Sequence, residues 1–210
     1  SGLLLGGKTI NAITGDSTCI DSAAATAVGE KQITADDVAA IVGADCSGVT
    51  GAIANNVAIP NGVVMISPSA TSPALSSIDD NGLFFRTAPS DARQGAVMAD
   101  VLNDKGITEV AVTYTNNDYG KGLADAFEAS FKALGGTITI SAAHEDGKAD
   151  YSAEVGALAS AGGEMLAVLG YADQGGKGII QSALDTGAFD TFVMGDGMKS
   201  NSLIEAIGPD

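Results

Sequence analysis

The chain has 210 residues, with 26 acidic against 10 basic side chains and a net charge of −16. That balance excludes nucleic acid as the main partner and docking on anionic lipid, since both present phosphates to a basic surface. An apolar share of 45% with only 17% charged residues excludes disorder. No apolar run approaches the roughly 20 residues of a membrane helix, and the opening SGLLLGGKTI lacks the basic start and long apolar core of a signal peptide.

In chain order, residues 9–14 read as a strand. Residues 21–34, Ala-rich after a capping-type Asp21, read as a helix. Strands are predicted at 38–42, 63–67 and 83–86 as short apolar runs. Between the last two, residues 67–81 (SPSATSPALSSIDDN) carry no helix or strand of useful length. The rhythm resumes with a helix at 91–105, where Val97, Val101 and Leu102 share a face and Gly106 ends the run. A strand at 109–114 leads to a helix at 118–134. There Leu123, Phe127, Phe131 and Leu134 form one stripe, Asp118 is the expected N-cap, and Gly135-Gly136 is the stop. Strands at 137–142, 165–169 and 191–194 alternate with helices at 150–161 and 173–187. Most strands are continuous apolar runs, the pattern of a parallel sheet covered on both faces. Repeated βα units predict an α/β fold with right-handed crossovers.

Few motifs carry chemistry. Gly2 and Gly7-Lys8-Thr9 have the spacing of a P-loop, but that mechanism needs a strand before the glycines and a helix after them. Here almost nothing precedes Gly2 and a predicted strand follows Lys8, so nucleotide binding is set aside. The single histidine, His144, precedes Glu145-Asp146 and reads as an exposed polar residue. With no G-x-S-x-G elbow and no nucleophile–base pair, no enzyme is expected. Cys19 and Cys46 form neither a CxxC nor a Cys/His cluster, so no metal and no cofactor is expected. They are inert core residues or a pair, and their number does not decide between these.

Six residues sit where strands should end: Ser47, Ser69, Thr71, Tyr119, Tyr171 and Asp196. Singly, Ser47 and Asp196 read as helix caps and the tyrosines as packing residues. Together they offer hydroxyls, two aromatic faces and one carboxylate beyond the carboxyl ends of parallel strands, where open α/β sheets bind ligands. That set suits a small zwitterion: hydroxyls and N–H groups hold a carboxylate, and Asp196 holds an ammonium.

At these residues the chain resembles a type I periplasmic solute-binding protein of the branched-chain amino-acid (Leu/Ile/Val)-binding family of ABC importers. The stretches that carry the resemblance are TGDSTCIDSAAATA, VAAIVGADCSGVTGAIA, GVVMISPSATSPAL, LFFRTAPSDARQG, VAVTYTNNDYGKGLADAF, DYSAEV, LGYAD and FVMGDG, in family order. It implies two Rossmann-like βα lobes with parallel sheets, an incomplete first lobe over residues 1–89 and a nearly complete second over 90–210. It implies a ligand taken in the cleft between lobes by hinge closure. Ser47 would hold the ligand carboxylate, the main chain at Ser69 would contact it, and Thr71 would bond the head group. Tyr119 and Tyr171 would cover the ligand and Asp196 would pair with its ammonium. Some relatives have an extra residue and a glutamate at that last turn.

The resemblance further implies a Cys19–Cys46 disulfide, a periplasmic location, a monomer, an ABC permease as partner and an apolar amino acid as ligand. A ligand sensor on the same fold is the alternative, as is a binder of amides, urea-like compounds or aromatic carboxylates.

Overall fold

The computed structural model of the protein describes residue 6 and residues 9–208. They divide into two compact units. One takes in the described residues up to Ala70 together with Ile78–Ala88, the other Thr71–Ser77 together with everything described from Pro89 on. Both are α/β, and every strand pair is parallel. Among the described residues no helix is long and apolar enough to cross a membrane.

In the first unit, helix α1 (Ser22–Thr34) begins where the Asp21 carboxylate accepts from the N–H groups of Ala23 and Ala24. This satisfies two donors that a helix start leaves open. Strands β1 (Ala40–Val42), β2 (Val64–Ser67) and β3 (Phe84–Arg86) form a sheet in that order. Helix α2 (Ser47–Ile53) runs on into a π-helical turn at Ala54–Ala58. Ala25, Val49, Ile53, Val57 and Met65 are buried as the unit's core. Cys19 and Cys46 are joined in a disulfide with their Cα atoms 5.3 Å apart. Cys46 stands in the N-cap position of α2 and Ser47 is its first helical residue, so Ser47 is not a cap.

Residues 9–14 do not form the expected strand. They are exposed, and no strand of the described residues pairs with them. A β-rich composition makes a strand only where a ladder partner takes up its N–H and C=O groups. Of the P-loop-like pattern, Gly2, Gly7 and Lys8 lie outside the described residues.

The second unit runs α3 (Asp91–Asp104), β4 (Glu109–Thr115), α4 (Asp118–Ala133), β5 (Thr137–His144), α5 (Ser152–Ala161), β6 (Met165–Leu169), α6 (Lys177–Thr186), β7 (Phe192–Met194) and α7 (Asn201–Ile207). All five residues of β6 are buried. Met165, Ala167 and Leu169 pack with Leu102, Leu123 and Phe127, while Leu166 and Val168 pack with Val155, Leu158, Ile179 and Ala183 on the opposite face. This two-sided burial is the physical reason for the apolar runs in the sequence.

Helix α4 starts one residue earlier than expected, with Asn117 as N-cap accepting from the N–H of Gly120. Asp118 is its first residue, where a carboxylate still favours the helix dipole. The expected helix at 173–187 begins instead at Lys177. The turn before it contains Gln174 and Gly175 in non-helical conformations. The sheet order is β5-β4-β6-β7. The winding therefore reverses between β4 and β6, which opens a crevice at the carboxyl edge of those strands.

Candidate functional site

In the first unit, the loops leaving β1 and β2 are fixed to each other by hydroxyls. Ser67, fully buried at the end of β2, donates to the Ala44 carbonyl at 2.6 Å and accepts from the N–H of Ala70 at 3.0 Å. Thr50 donates to the same Ala44 carbonyl at 3.0 Å. Ser69 donates to the Asp45 carbonyl at 3.0 Å and is exposed. The loop is held on its other side as well, since the Arg86 guanidinium donates to the Ala70 carbonyl and the N–H of Thr87 to the Ser67 carbonyl. Ser47 lies beside this loop system in sequence, buried at the start of α2. Ser67 was not singled out from sequence. Its signal was a hydroxyl closing the apolar run VVMIS.

Thr71 belongs to the second unit. Its carbonyl accepts from the N–H of Asp91 at 2.9 Å, and its side chain is buried.

The second unit brings three expected residues together. Tyr119 follows β4 in the first turn of α4, Tyr171 follows β6, and Asp196 follows β7. The first two flank the point where the winding reverses. The Tyr119 hydroxyl donates to Asp196 Oδ1 at 2.6 Å and accepts from the N–H of Gly197 at 3.1 Å. The rings of Tyr119 and Tyr171 lie 4.6 Å apart between centroids, tilted by 31°. The Gly-Asp-Gly spacing follows from this closeness. A Cβ at position 197 would fall 2.4 Å from the Gly170 carbonyl and 2.8 Å from the Tyr119 hydroxyl.

Burial first, then the bond to the Asp196 carboxylate, pushes the Tyr119 phenol well above the usual phenol range. Tyr119 therefore stays a neutral donor that orients the Asp196 carboxylate. Asp196 itself is exposed. An exposed carboxylate fixed through one oxygen, beside the half-buried ring of Tyr171, can pair with an ammonium.

His144 is buried rather than exposed, with 1% of its surface accessible. It ends β5 between Thr113 Oγ1, 2.9 Å from Nδ1, and Thr115 Oγ1, 3.2 Å from Nε2. Burial lowers its pKa to about 4, against the pull of Glu154, Glu145 and Asp146. The acidic residues after it in sequence suggested a solvated end, but only the pairing of β4 with β5 shows the ring turned inward. Among the described residues no group of histidine, cysteine and carboxylate side chains is arranged to hold a metal ion.

Residues 1–207 match the family described as the receptor family ligand binding region. The chain belongs to that family. A Leu/Ile/Val-binding protein homologue from Brucella melitensis is 38% identical over 178 residues, 80% of this chain and 47% of that protein. The crystal structure of a leucine-binding protein from Thermotoga maritima matches with a TM-score of 0.80 at 27% identity, over 90% of this chain and 53% of that one. A solute-binding protein of an ABC transporter from R. palustris, solved with 4-hydroxybenzoate, has the same TM-score of 0.80 at 19% identity, over 90% of this chain and 51% of that one, a likeness of fold alone. The chain spans about half the length of the relatives it matches. Within this family its architecture is that of the type I periplasmic binding fold, and its relatives are named as binding proteins.

Proposed function

We propose that the chain is part of an extracytoplasmic substrate-binding protein of an ABC importer, and that it captures a small amino acid, branched-chain or otherwise apolar. The observation that carries this is the Tyr119–Asp196 pair, a carboxylate held ready beside two tilted aromatic rings at the carboxyl edge of a parallel sheet. Ser47, Ser69 and Thr71 serve the ligand's carboxylate and head group. Tyr119 and Tyr171 cover its apolar part, and Asp196 takes its ammonium. The relatives' names, Leu/Ile/Val-binding protein and leucine-binding protein, support the choice of ligand. The role is capture without chemistry, as a periplasmic monomer that delivers to a membrane permease.

The test is a thermal-shift screen on the full-length protein with apolar amino acids, amides and 4-hydroxybenzoate, followed by calorimetry. A ligand at a hundred times its Kd stabilises by about 2.7 kcal/mol. Leucine, isoleucine or valine is the expected hit, and Asp196→Ala is expected to weaken it by about 2–4 kcal/mol, because the ammonium loses the carboxylate that pairs with it in the complex. A response to 4-hydroxybenzoate with none to amino acids would overturn the ligand assignment. An undiminished affinity in Asp196→Ala would overturn the role of Asp196.

A further inference from the structure

We propose that Thr115 and His144 are positioning residues for Tyr171, an inference that rests on the ligand-covering role proposed for that tyrosine. Thr115 ends β4 and His144 ends β5, and the two are register partners across the sheet. Neither is itself one of the residues proposed to meet the ligand. The Thr115 hydroxyl instead sits under the turn that carries Tyr171. It donates to the Gln174 carbonyl at 3.2 Å and accepts from the N–H of Tyr171 at 3.3 Å, bonding both ends of the turn. Gly170, just before Tyr171, has φ +151°, and a Cβ there would lie 2.0 Å from Thr115 Oγ1. The chain is thus seated on that hydroxyl at the point where the Tyr171 ring departs toward Tyr119.

The donor inventory fixes what His144 contributes. A threonine hydroxyl has one proton, and a carbonyl only accepts. With that proton committed to Gln174, the contact between Thr115 Oγ1 and His144 Nε2 requires Nε2 to be the donor. Nδ1 then accepts from the Thr113 hydroxyl, 2.9 Å away. Protons run one way, from Thr113 to His144 to Thr115 to Gln174, and each donor is used once. Buried chains of this kind reinforce one another. The ring is held edge-on to Tyr151, whose hydroxyl donates to the Glu145 carbonyl at 2.8 Å.

The test uses the full-length protein with leucine as probe. Thr115→Val keeps the shape and removes the hydroxyl. It is expected to weaken leucine about tenfold, the scale of one or two buried bonds left unmade. Thr115→Ser keeps the hydroxyl and is expected to recover most of the affinity. A residue that only filled space would reverse that order, so valine binding as well as or better than serine overturns the proposal.

If no ligand binds even the unaltered protein, the ligand reading fails, and amide exchange at Tyr171 decides this inference by itself. Exchange about tenfold faster in Thr115→Val supports it, and equal exchange overturns it. Should Thr115→Val not fold, the ring nitrogen shifts of His144 in the unaltered protein decide: an Nε2–H tautomer upholds the proposal and an Nδ1–H tautomer overturns it.

Discussion

The first unit fixes its strand-end loops chiefly by hydroxyls bonded to main chain; the second uses such bonds too and adds a bond between side chains far apart in sequence. Ser67, Ser69 and Thr50 each reach a backbone carbonyl, and the loops they bind lie close to their own strands. Tyr119 and Asp196 meet across 77 residues of sequence. The difference follows from the sheets. Strands β1, β2 and β3 are three, four and three residues long, whereas β4 and β5 have seven and eight and their sheet is covered on both faces. A sheet with little ladder depends on local bonds and on the disulfide. A sheet with a deep core can hold large aromatic side chains at its edge by burial together with such bonds.

The sharpest way to break this comparison is to remove the disulfide. The bridge spans a sequence separation of 27, and restricting a loop of that size in the unfolded chain is worth roughly 3.5 kcal/mol in the entropy account. Replacing both cysteines with serine should lower stability by that amount in urea unfolding. The lost amide protection should fall in α1, α2 and β1–β3. An equal loss in β4–β6 would show the units to be one cooperative body.

Acid should act on the second unit. Below its ordinary 6.5 an unfolded histidine takes up a proton that folded His144 refuses until about 4. Stability therefore falls as the pH drops through that interval and is unaffected above it. At about 1.4 kcal/mol per tenfold in proton affinity, the loss comes to about 3 kcal/mol. Glu145, Asp146, Glu154 and Tyr151 face the ring, and the three carboxylates soften the effect while ionised. Unfolding of unaltered protein and His144→Gln from pH 7 to pH 4 measures it, and parallel curves for the two would refute it.

Ser67→Ala should come next, at about 2 kcal/mol, because the buried N–H of Ala70 loses its acceptor. The loss should appear in the first unit alone. Tyr119→Phe should be smallest in stability, about 1–2 kcal/mol, since the ring stays and only the bonds to Asp196 and Gly197 go. Ultraviolet titration adds a check. Tyr119 should ionise only when the chain unfolds in alkali.

Much of this was legible in sequence, for reasons that differ by element. Residues 165–169 read cleanly because a strand buried on both faces must be apolar throughout. Helix α4 is legible through Leu123, Phe127 and Phe131, whose buried stripe recurs at helical spacing, whereas Leu134, expected on the same stripe, is exposed at the C-cap. Tyr119, Tyr171 and Asp196 could be singled out because each follows a strand, where parallel sheets place their binding loops. Other features depended on partners distant in sequence. Residues 9–14 have the composition of a strand but pair with no strand among the described residues. His144 and Thr115 are 29 residues apart, and their contact exists only through the β4–β5 register. Ser67 resembled any serine after a strand until Ala44 was seen beside it. Asp118 reads as the N-cap of α4, but the neighbouring Asn117 takes that place, because its side chain is the one that reaches the Gly120 N–H.

The route of the chain between the units limits how the molecule can be taken apart. It crosses from one to the other at residues 70–71, back at 77–78, and again at 88–89. A protease that cut at the first crossing would leave β3 on the downstream fragment, still laddered to β2 on the upstream one. A gene started at Pro89 would omit Pro73 and Ser72, against which Gly122 of α4 packs. Neither unit is a contiguous stretch of sequence, so isolating one requires splicing a distant segment back in, and domain-swapped chimaeras must exchange Thr71–Ser77 together with the half that follows Pro89.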